Sequence, residues 1–347
     1  MKTFGINGFG RIGRISFRAW WKNHRKDLDL KLVNTSGSMD LKGWVHLLKY
    51  DTSYGPFLEK ISYDERQSNK DVTDEDPVLG TLTVGGKKIL VTAQREPAKI
   101  PWSENGVDIV LESTGVFRTE ESASEHLKGG AKRVMISAPG KGGNIETSVI
   151  GVNDFDEDGK IFSNASCTTN CIAPVVKIML DNFGIKKAIM TTIHAFTDDQ
   201  NTQDNSHKKD LRRARTASQN IIPTSTGAAK ATTGLLPQLK GLFDGMAVRI
   251  PTATGSLADM VFITEKKTTI KDVNKAFIKA SKSSTFDGGF ATTDEPLVSS
   301  DIIGRDEQSI VDLSLTNVID GDMVKVVSWY DNEWGYCCSM LKQMIDL

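Results

Sequence analysis

The chain has 347 residues, 39% of them hydrophobic and 25% charged, which is enough apolar material for two cores of ordinary domain size and excludes a disordered chain. Against 44 acidic residues stand 43 basic ones, a formal charge of −1, so no global field draws the protein to nucleic acid or to an anionic membrane, and small molecules are the expected partners. No N-terminal apolar run has the length of a signal peptide, no later one approaches a span of about 18 residues, and four cysteines are too few for a disulfide framework. The expectation is a cytoplasmic protein.

In chain order, residues 2–7 read as a short strand. Gly8-x-Gly10-x-x-Gly13 follows, then Ile12, Ile15, Ala19 and Trp20 at helical spacing, then a second strand at 29–34. This is one βαβ unit, whose strands pair in parallel. Apolar runs at 107–111 and 133–137 flank a helical segment at 120–129, continuing the alternation of a doubly wound sheet. Ser166-Cys167-Thr168-Thr169-Asn170-Cys171 opens a helix in which Ile172, Val175, Val176, Met179 and Leu180 share one face, with Pro174 placed to kink it. From residue 186, β-rich runs at 186–194, 245–250, 257–264, 308–315 and 323–329 predict a mostly antiparallel sheet. The polar stretch 197–220 between the first two predicts a long functional loop.

Several of these positions carry chemistry. The three glycines let the backbone turn tightly and approach a pyrophosphate, with Arg11 and Ile12 beside it; the plain alternative is an ordinary strand-to-helix turn. An NAD site normally has an acid at the end of the second strand, yet this chain reads Asn34-Thr35-Ser36-Gly37-Ser38, with Asp40 the first acid. Thr35, Ser36 and Ser38 suit the 2′-phosphate of NADP, or form a simple hydroxyl turn. Cys167 near a helix N-terminus is expected to have a lowered pKa and to be a nucleophile, whereas Cys171, a turn further in, is expected to pack. His194, at a strand end, is either structural or an acid/base. Arg249 and the turn Thr224-Ser225-Thr226-Gly227 suit phosphate, or are a surface ion pair and a helix cap. The Cys-x3-Cys pair has no second Cys or His pair at ligand spacing, so no metal is expected.

Ile6 to Arg14, Ala165 to Cys171, Thr191-Thr192-Ile193-His194-Ala195, Pro223 to Ala231 and Trp329-Tyr330-Asp331-Asn332-Glu333-Trp334-Gly335-Tyr336 occur in order. With them the chain, from about residue 3 to its end, resembles the phosphorylating glyceraldehyde-3-phosphate dehydrogenases. The resemblance implies an α/β fold: a Rossmann-type doubly wound parallel-sheet domain over 1–166 and 331–347, and a mixed, mostly antiparallel α+β catalytic domain over 167–330 with an S-loop at about 197–220. It implies Cys167 as the nucleophile that forms a thiohemiacetal and then a thioester, and His194 as its acid/base partner. The phosphate of glyceraldehyde 3-phosphate is implied near Thr197, Asp199 and Arg249, and the attacking inorganic phosphate near Ser166, Thr168, Arg213, Thr226 and Gly227. For the cofactor, NAD or NADP, it implies Asn7, Gly8, Gly10, Arg11, Ile12, Gly13, Thr35 and Ser36, with Arg95 at the adenosine end, Ser137 on the nicotinamide side, Asn332 at the carboxamide and Tyr336 packing the ring. A homotetramer is implied as well.

Three departures stand out. Thr35 replaces the family's usual acid and favours NADP, Pro251 to Ser256 departs from the usual Pro-Thr-Pro-Asn-Val-Ser run, and Cys337-Cys338 is read as packing. Competing readings are an erythrose-4-phosphate dehydrogenase, a Cys/His thiol hydrolase, and a dinucleotide-binding protein without catalysis.

Overall fold

A computed structural model describes residues 1–156 and 158–347. It contains two compact units, Met1–Ser148 with Phe155–Ala165 and Met340–Leu347, and Val149–Asp154 with Ser166–Ser339. The first unit is a nine-stranded sheet of β1 (Lys2–Asn7), β2 (Leu28–Asn34), β3 (Ile61–Glu65), β4 (Val78–Val84), β5 (Lys87–Thr92), β6 (Ile109–Glu112), β7 (Arg133–Ile136), β8 (Glu146–Thr147) and β9 (Ile161–Ser163), in the order β3-β4-β5-β2-β1-β6-β7-β9-β8. From β5 through β9 all pairs are parallel; β3 and β4 add an antiparallel edge. A parallel sheet needs cover on both faces, and β6 is accordingly buried along its whole length. Helices α1 (Arg11–Ala19), α2 (Leu41–Lys49) and α3 (Glu120–Lys128) belong to this unit. Chain order reverses at β1, with β2 on one side and β6 on the other, so the crevice at the carboxyl ends of β1 and β6 is the ligand position of an open α/β sheet.

The second unit follows with α4 (Cys167–Phe183), β10 (Lys187–Ala195), β11 (Ile222–Ser225), α5 (Ala228–Leu235), β12 (Phe243–Ile250), β13 (Ser256–Ile263), α6 (Ile270–Ser281), β14 (Phe290–Thr293), β15 (Ser309–Ile319) and β16 (Met323–Tyr330); α7 (Trp334–Asp346) begins in this unit and, from Met340, belongs to the first. The seven strands of the second unit run in the order β11-β12-β10-β13-β16-β15-β14. Pairs β10–β12 and β14–β15 are parallel and the others antiparallel. β11 and β14, of four residues each, are too short to show an alternation in the sequence. The core centres on α4, whose Cys171, Ile172, Val175, Val176 and Met179 are fully buried against residues of β13, β16 and α6. Each large aliphatic in such a place stabilises the fold by about 1.5–3 kcal/mol. Pro174 does not break α4, which runs through it for 17 residues.

Residues 331–339 cluster with the second unit rather than with the first, because Asp331, just past β16, accepts hydrogen bonds from Thr254 and from the Gly304 backbone, while the Ser339 hydroxyl lies within hydrogen-bond distance of the side-chain oxygens of Asn170 and Gln308. Between Ala195 and Ile222 the chain forms no helix or strand and is held by polar contacts such as Arg215–Asp204 at 2.8 Å. No helix among the described residues is long and apolar enough to cross a membrane.

Candidate active site

Cys167 is the first residue of α4. Ser166 caps that helix, its hydroxyl accepting from the Thr169 N–H at 3.1 Å, so this oxygen is committed to the fold. The preceding Ala165 is held at φ 55, a left-handed conformation costly for a residue with a Cβ and typical of functional turns. The Cys167 sulfur lies 3.5 Å from His194 Nε2. Contrary to the expected lowering, burial against the α4 core pushes the thiol above its ordinary range; the Arg249 guanidinium, the Thr168 hydroxyl and the backbone N–H groups of Cys167 and Thr168 pull it down by less. Cys171, wholly buried, is pushed up to about 12 and packs as expected.

The pairing of β10 with β12 puts His194 directly beside Arg249. Arg249 Nη1 is 2.7 Å from His194 Nδ1 and donates to the Ala195 carbonyl at 3.1 Å; Nδ1 is itself 2.6 Å from that carbonyl. Burial, and then the guanidinium charge, push His194 down to about 3. On the other side the Tyr330 ring meets the imidazole edge-on, with centroids 5.8 Å apart. The Tyr330 hydroxyl lies 2.8 Å from that of Thr192 and 3.0 Å from that of Thr168, and Thr192 donates to the Leu257 carbonyl.

The depressed His194 value makes a stability prediction. Between about 3 and 6.5 the unfolded chain carries a proton that the folded one refuses, so this group costs stability as pH falls below 6.5, by up to about 1.4 kcal/mol per pH unit. His194→Gln should therefore flatten the fall of Tm on acidification from about pH 6.5 to 4; an unchanged slope would refute it.

The implied phosphate residues divide. Arg213 donates to Thr224 at 2.8 Å and to the Ser225 carbonyl at 3.0 Å, and pairs closely with Asp199. Thr224 in turn donates to Asp210 at 2.6 Å. Asp199 thus orients the Arg213 guanidinium. Thr197 is tied through its N–H to Gln200 at 2.8 Å. Thr226 accepts from the Ala228 N–H, and Gly227 begins α5 with no side-chain cap, leaving helix N–H groups for an anion.

In the first unit, Gly8 stands at φ +93, a β-carbon on Gly13 would lie 2.0 Å from the Gly8 carbonyl, and one on Gly10 would meet nothing within 4 Å. Gly10 caps α1 with no side chain, so the helix N-terminus offers its N–H groups to a ligand, and the cradle fits a pyrophosphate. Three implied contacts turn inward. Asn7 donates to Glu112 at 2.6 Å and accepts from Asn34; Arg11 pairs with Asp51 at 2.6 Å; the buried Thr35 donates to the Thr92 carbonyl at 3.1 Å. Ser36 and Ser38, 2.9 Å apart, are the exposed hydroxyls of that turn, and Asp40 accepts from the Asn69 N–H. Ile12 and Ser137 are half-buried and Arg95 is exposed just past β5. In the second unit Asn332 holds its carbonyl oxygen against Ser256 at 2.8 Å and the Gly255 N–H at 3.2 Å, which presents its NH2 as the end for a ligand; Tyr336 is buried in α7.

Comparison with known proteins decides the family. A model of the glyceraldehyde 3-phosphate dehydrogenase NAD binding domain matches residues 2–120, and that of the C-terminal domain matches 166–332. The glyceraldehyde-3-phosphate dehydrogenase of Streptomyces coelicolor is 49% identical over 96% of this chain and 94% of its own. That of Geobacillus stearothermophilus is 48% identical over 96% and 94%, and glyceraldehyde-3-phosphate dehydrogenase A, chloroplastic, of Scenedesmus vacuolatus 47% over 95% and 100%. The chain belongs to the glyceraldehyde 3-phosphate dehydrogenase family. It is an NAD(P)-dependent oxidoreductase of α/β fold. What residue types did not reveal about this family member is the second row of the site: Thr192, the Ala195 carbonyl and Tyr330. Their one sequence signal is strand alternation, which puts Thr192 and His194 on the same face of β10.

Proposed function

We propose that this chain oxidises glyceraldehyde 3-phosphate with NAD(P) and inorganic phosphate to 1,3-bisphosphoglycerate, with Cys167 as nucleophile and His194 as acid/base. The observation that carries it is the sulfur 3.5 Å from an imidazole whose far nitrogen meets a guanidinium at 2.7 Å. The Cys167 sulfur bonds to the aldehyde carbon as the carbonyl π bond opens, and the thiol proton passes by way of His194 Nε2 to the aldehyde oxygen, leaving a thiohemiacetal. Bound in the glycine turn of the first unit, the dinucleotide supplies the hydride acceptor. Arg249 takes the substrate's phosphate, while Arg213, Thr226 and the start of α5 take the attacking phosphate, whose oxygen replaces sulfur at the thioester carbon and returns the thiolate. Exclusion of water from this step conserves the acyl phosphate. Reduction of NAD(P) should stop when inorganic phosphate is omitted; equal rates with and without it would overturn the phosphorylating reading.

The Ser36–Ser38 turn and the absence of an acid at the end of β2 support NADP as a cofactor. Thr35→Asp is expected to shift the ratio of kcat/KM toward NAD by about tenfold, through charge against the 2′-phosphate; an unchanged ratio rejects it. We read the loop 197–220, with Leu211 83% exposed, as a subunit contact of a cytoplasmic homotetramer.

A further inference from the structure

We infer that Glu112 is a positioning residue for the dinucleotide: its buried carboxylate is the common end of two hydrogen-bond chains that lock the carboxyl ends of four adjacent parallel strands, and with them the glycine turn. The inference rests on the reading that this turn holds the dinucleotide. Thr92, Asn34, Asn7 and Glu112 are the last residues of β5, β2, β1 and β6, which lie next to one another in that order. The register puts them side by side, Asn34 against Thr92, Asn7 against Asn34 and Glu112 against Asn7. They form a polar row, each residue at most 2% exposed, where a parallel sheet ordinarily buries apolar side chains.

Donor and acceptor roles fix the direction of every bond in the row. The Thr92 hydroxyl, at 2.8 Å, and the Gln94 N–H, at 2.9 Å, donate to the Asn34 side-chain oxygen. The Asn34 NH2 donates to the Asn7 side-chain oxygen at 2.8 Å, and the Asn7 NH2 to Glu112 Oε2 at 2.6 Å. The second chain starts at Trp102, whose indole N–H can only donate and lies 3.2 Å from His126 Nδ1. That nitrogen keeps its lone pair, the ring proton sits on Nε2, and Nε2 donates to the same Glu112 oxygen at 3.0 Å. Oε1 accepts from the Thr114 N–H at 2.8 Å and from the Thr114 hydroxyl, which itself accepts from the Val116 N–H at 3.1 Å. Only donors face the carboxylate. An amide of the same shape would turn an NH2 against two of them, so neutral glutamine cannot end both chains.

What Asn7 and Thr114 hold connects this row to binding. Gly8 lies so close to Thr114 that a β-carbon on it would stand 2.8 Å from the Thr114 nitrogen and 2.9 Å from its Cγ2. The Ser113 hydroxyl donates to the Gly8 carbonyl at 2.7 Å and lies 3.0 Å from that of Asn7. Glu112 therefore grips the residue before Gly8 and the residue packed against Gly8 at once, and the turn at φ +93 is held between them. At the far end of the row, Gln94 is tied to Asn34 through both its N–H and its carbonyl, and is followed by Arg95, the residue expected at the adenosine end. One buried carboxylate thus sets the lip of the crevice from the glycine turn to the adenosine end, without itself meeting the ligand.

The test is a fluorescence titration of the full chain with NAD and with NADP, well below the Tm of every variant. Glu112→Gln is expected to bind both about 30-fold more weakly, because an NH2 then faces two donors at one side of the row. Leu82→Ala, which opens a cavity under β4 in the same unit, is the control for lost stability: with an equal or larger fall in Tm it is expected to bind as the parent does. His126 is fully buried, so its effect on binding must pass through its neighbours. His126→Gln can accept from Trp102 and donate to Glu112 and is expected to stay within about threefold of the parent, whereas His126→Leu breaks both bonds and should lose about tenfold. In 15N-histidine NMR of the parent, the His126 signals, assigned by their loss in His126→Gln, should show an Nε2–H ring with and without dinucleotide. A Glu112→Gln that binds as the parent does, a Leu82→Ala that weakens binding as much as Glu112→Gln, equal affinities within the His126 pair, or an Nδ1–H ring overturns the inference. Should Glu112→Gln not fold, the His126 pair and the ring tautomer decide it. Absence of binding by the parent itself would be failure of the dinucleotide reading; a parent that binds, with variants that bind equally well, would be failure of the role given to Glu112 alone.

Discussion

Cys167→Ser should abolish aldehyde oxidation, by on the order of 10⁴-fold or more, while leaving dinucleotide binding as it was. The serine hydroxyl fits the first position of α4 without disturbing the Ser166 cap, so the fold survives. Burial already pushes the sulfur up against the pull of Arg249, Thr168 and two backbone N–H groups, and a hydroxyl, far less acidic, cannot be ionised by the same set. The glycine turn lies in the other compact unit and keeps its geometry. Steady-state turnover together with a fluorescence titration of the dinucleotide checks both halves. A variant that turns over within tenfold of the parent would remove Cys167 as nucleophile.

The places where residue pattern and structure agree are those where a local rule acts alone. β1 is read to the residue, because Asn7 is followed at once by a glycine that must take φ +93. Cys167 and His194 are located by a helix start and a strand end, both local features. The electrostatics were not legible in this way. Helix-terminus reasoning gives the sign of the field at the sulfur, but the larger effect is desolvation by the α4 core, which exists only once β13, β16 and α6 have packed on it. Side-chain direction was equally hidden. Asn7 and Thr35 sit where a cofactor contact is expected, yet their polar atoms are spent on Glu112, Asn34 and Thr92 from neighbouring strands, a consequence of register that spacing along the chain does not contain. Arg249 and His194 meet for the same reason: the parallel register of β10 and β12 puts them side by side, 55 residues apart.

The glycine turn yields a paired prediction with opposite signatures. In Gly13→Ala the new β-carbon would stand 2.0 Å from the Gly8 carbonyl and 3.1 Å from the Ser113 hydroxyl, itself bonded to Gly8 at 2.7 Å. That obstacle is backbone, fixed by Gly8 at φ +93, so α1 must lift from the turn or the turn must open. We expect a loss of about 2–4 kcal/mol in stability and a fall of about 100-fold or more in dinucleotide affinity. Gly10 has an extended conformation open to any residue, φ −71 and ψ −156, and space around its missing Cβ. Gly10→Ala should therefore fold with an unchanged Tm and lose affinity alone, because the methyl group occupies ground a pyrophosphate would need. Thermal unfolding and dinucleotide titration of the two variants separate packing from ligand approach. Equal Tm losses, or a Gly10→Ala that binds as the parent does, would mean that the turn's openness at Gly10 has no part in holding the cofactor.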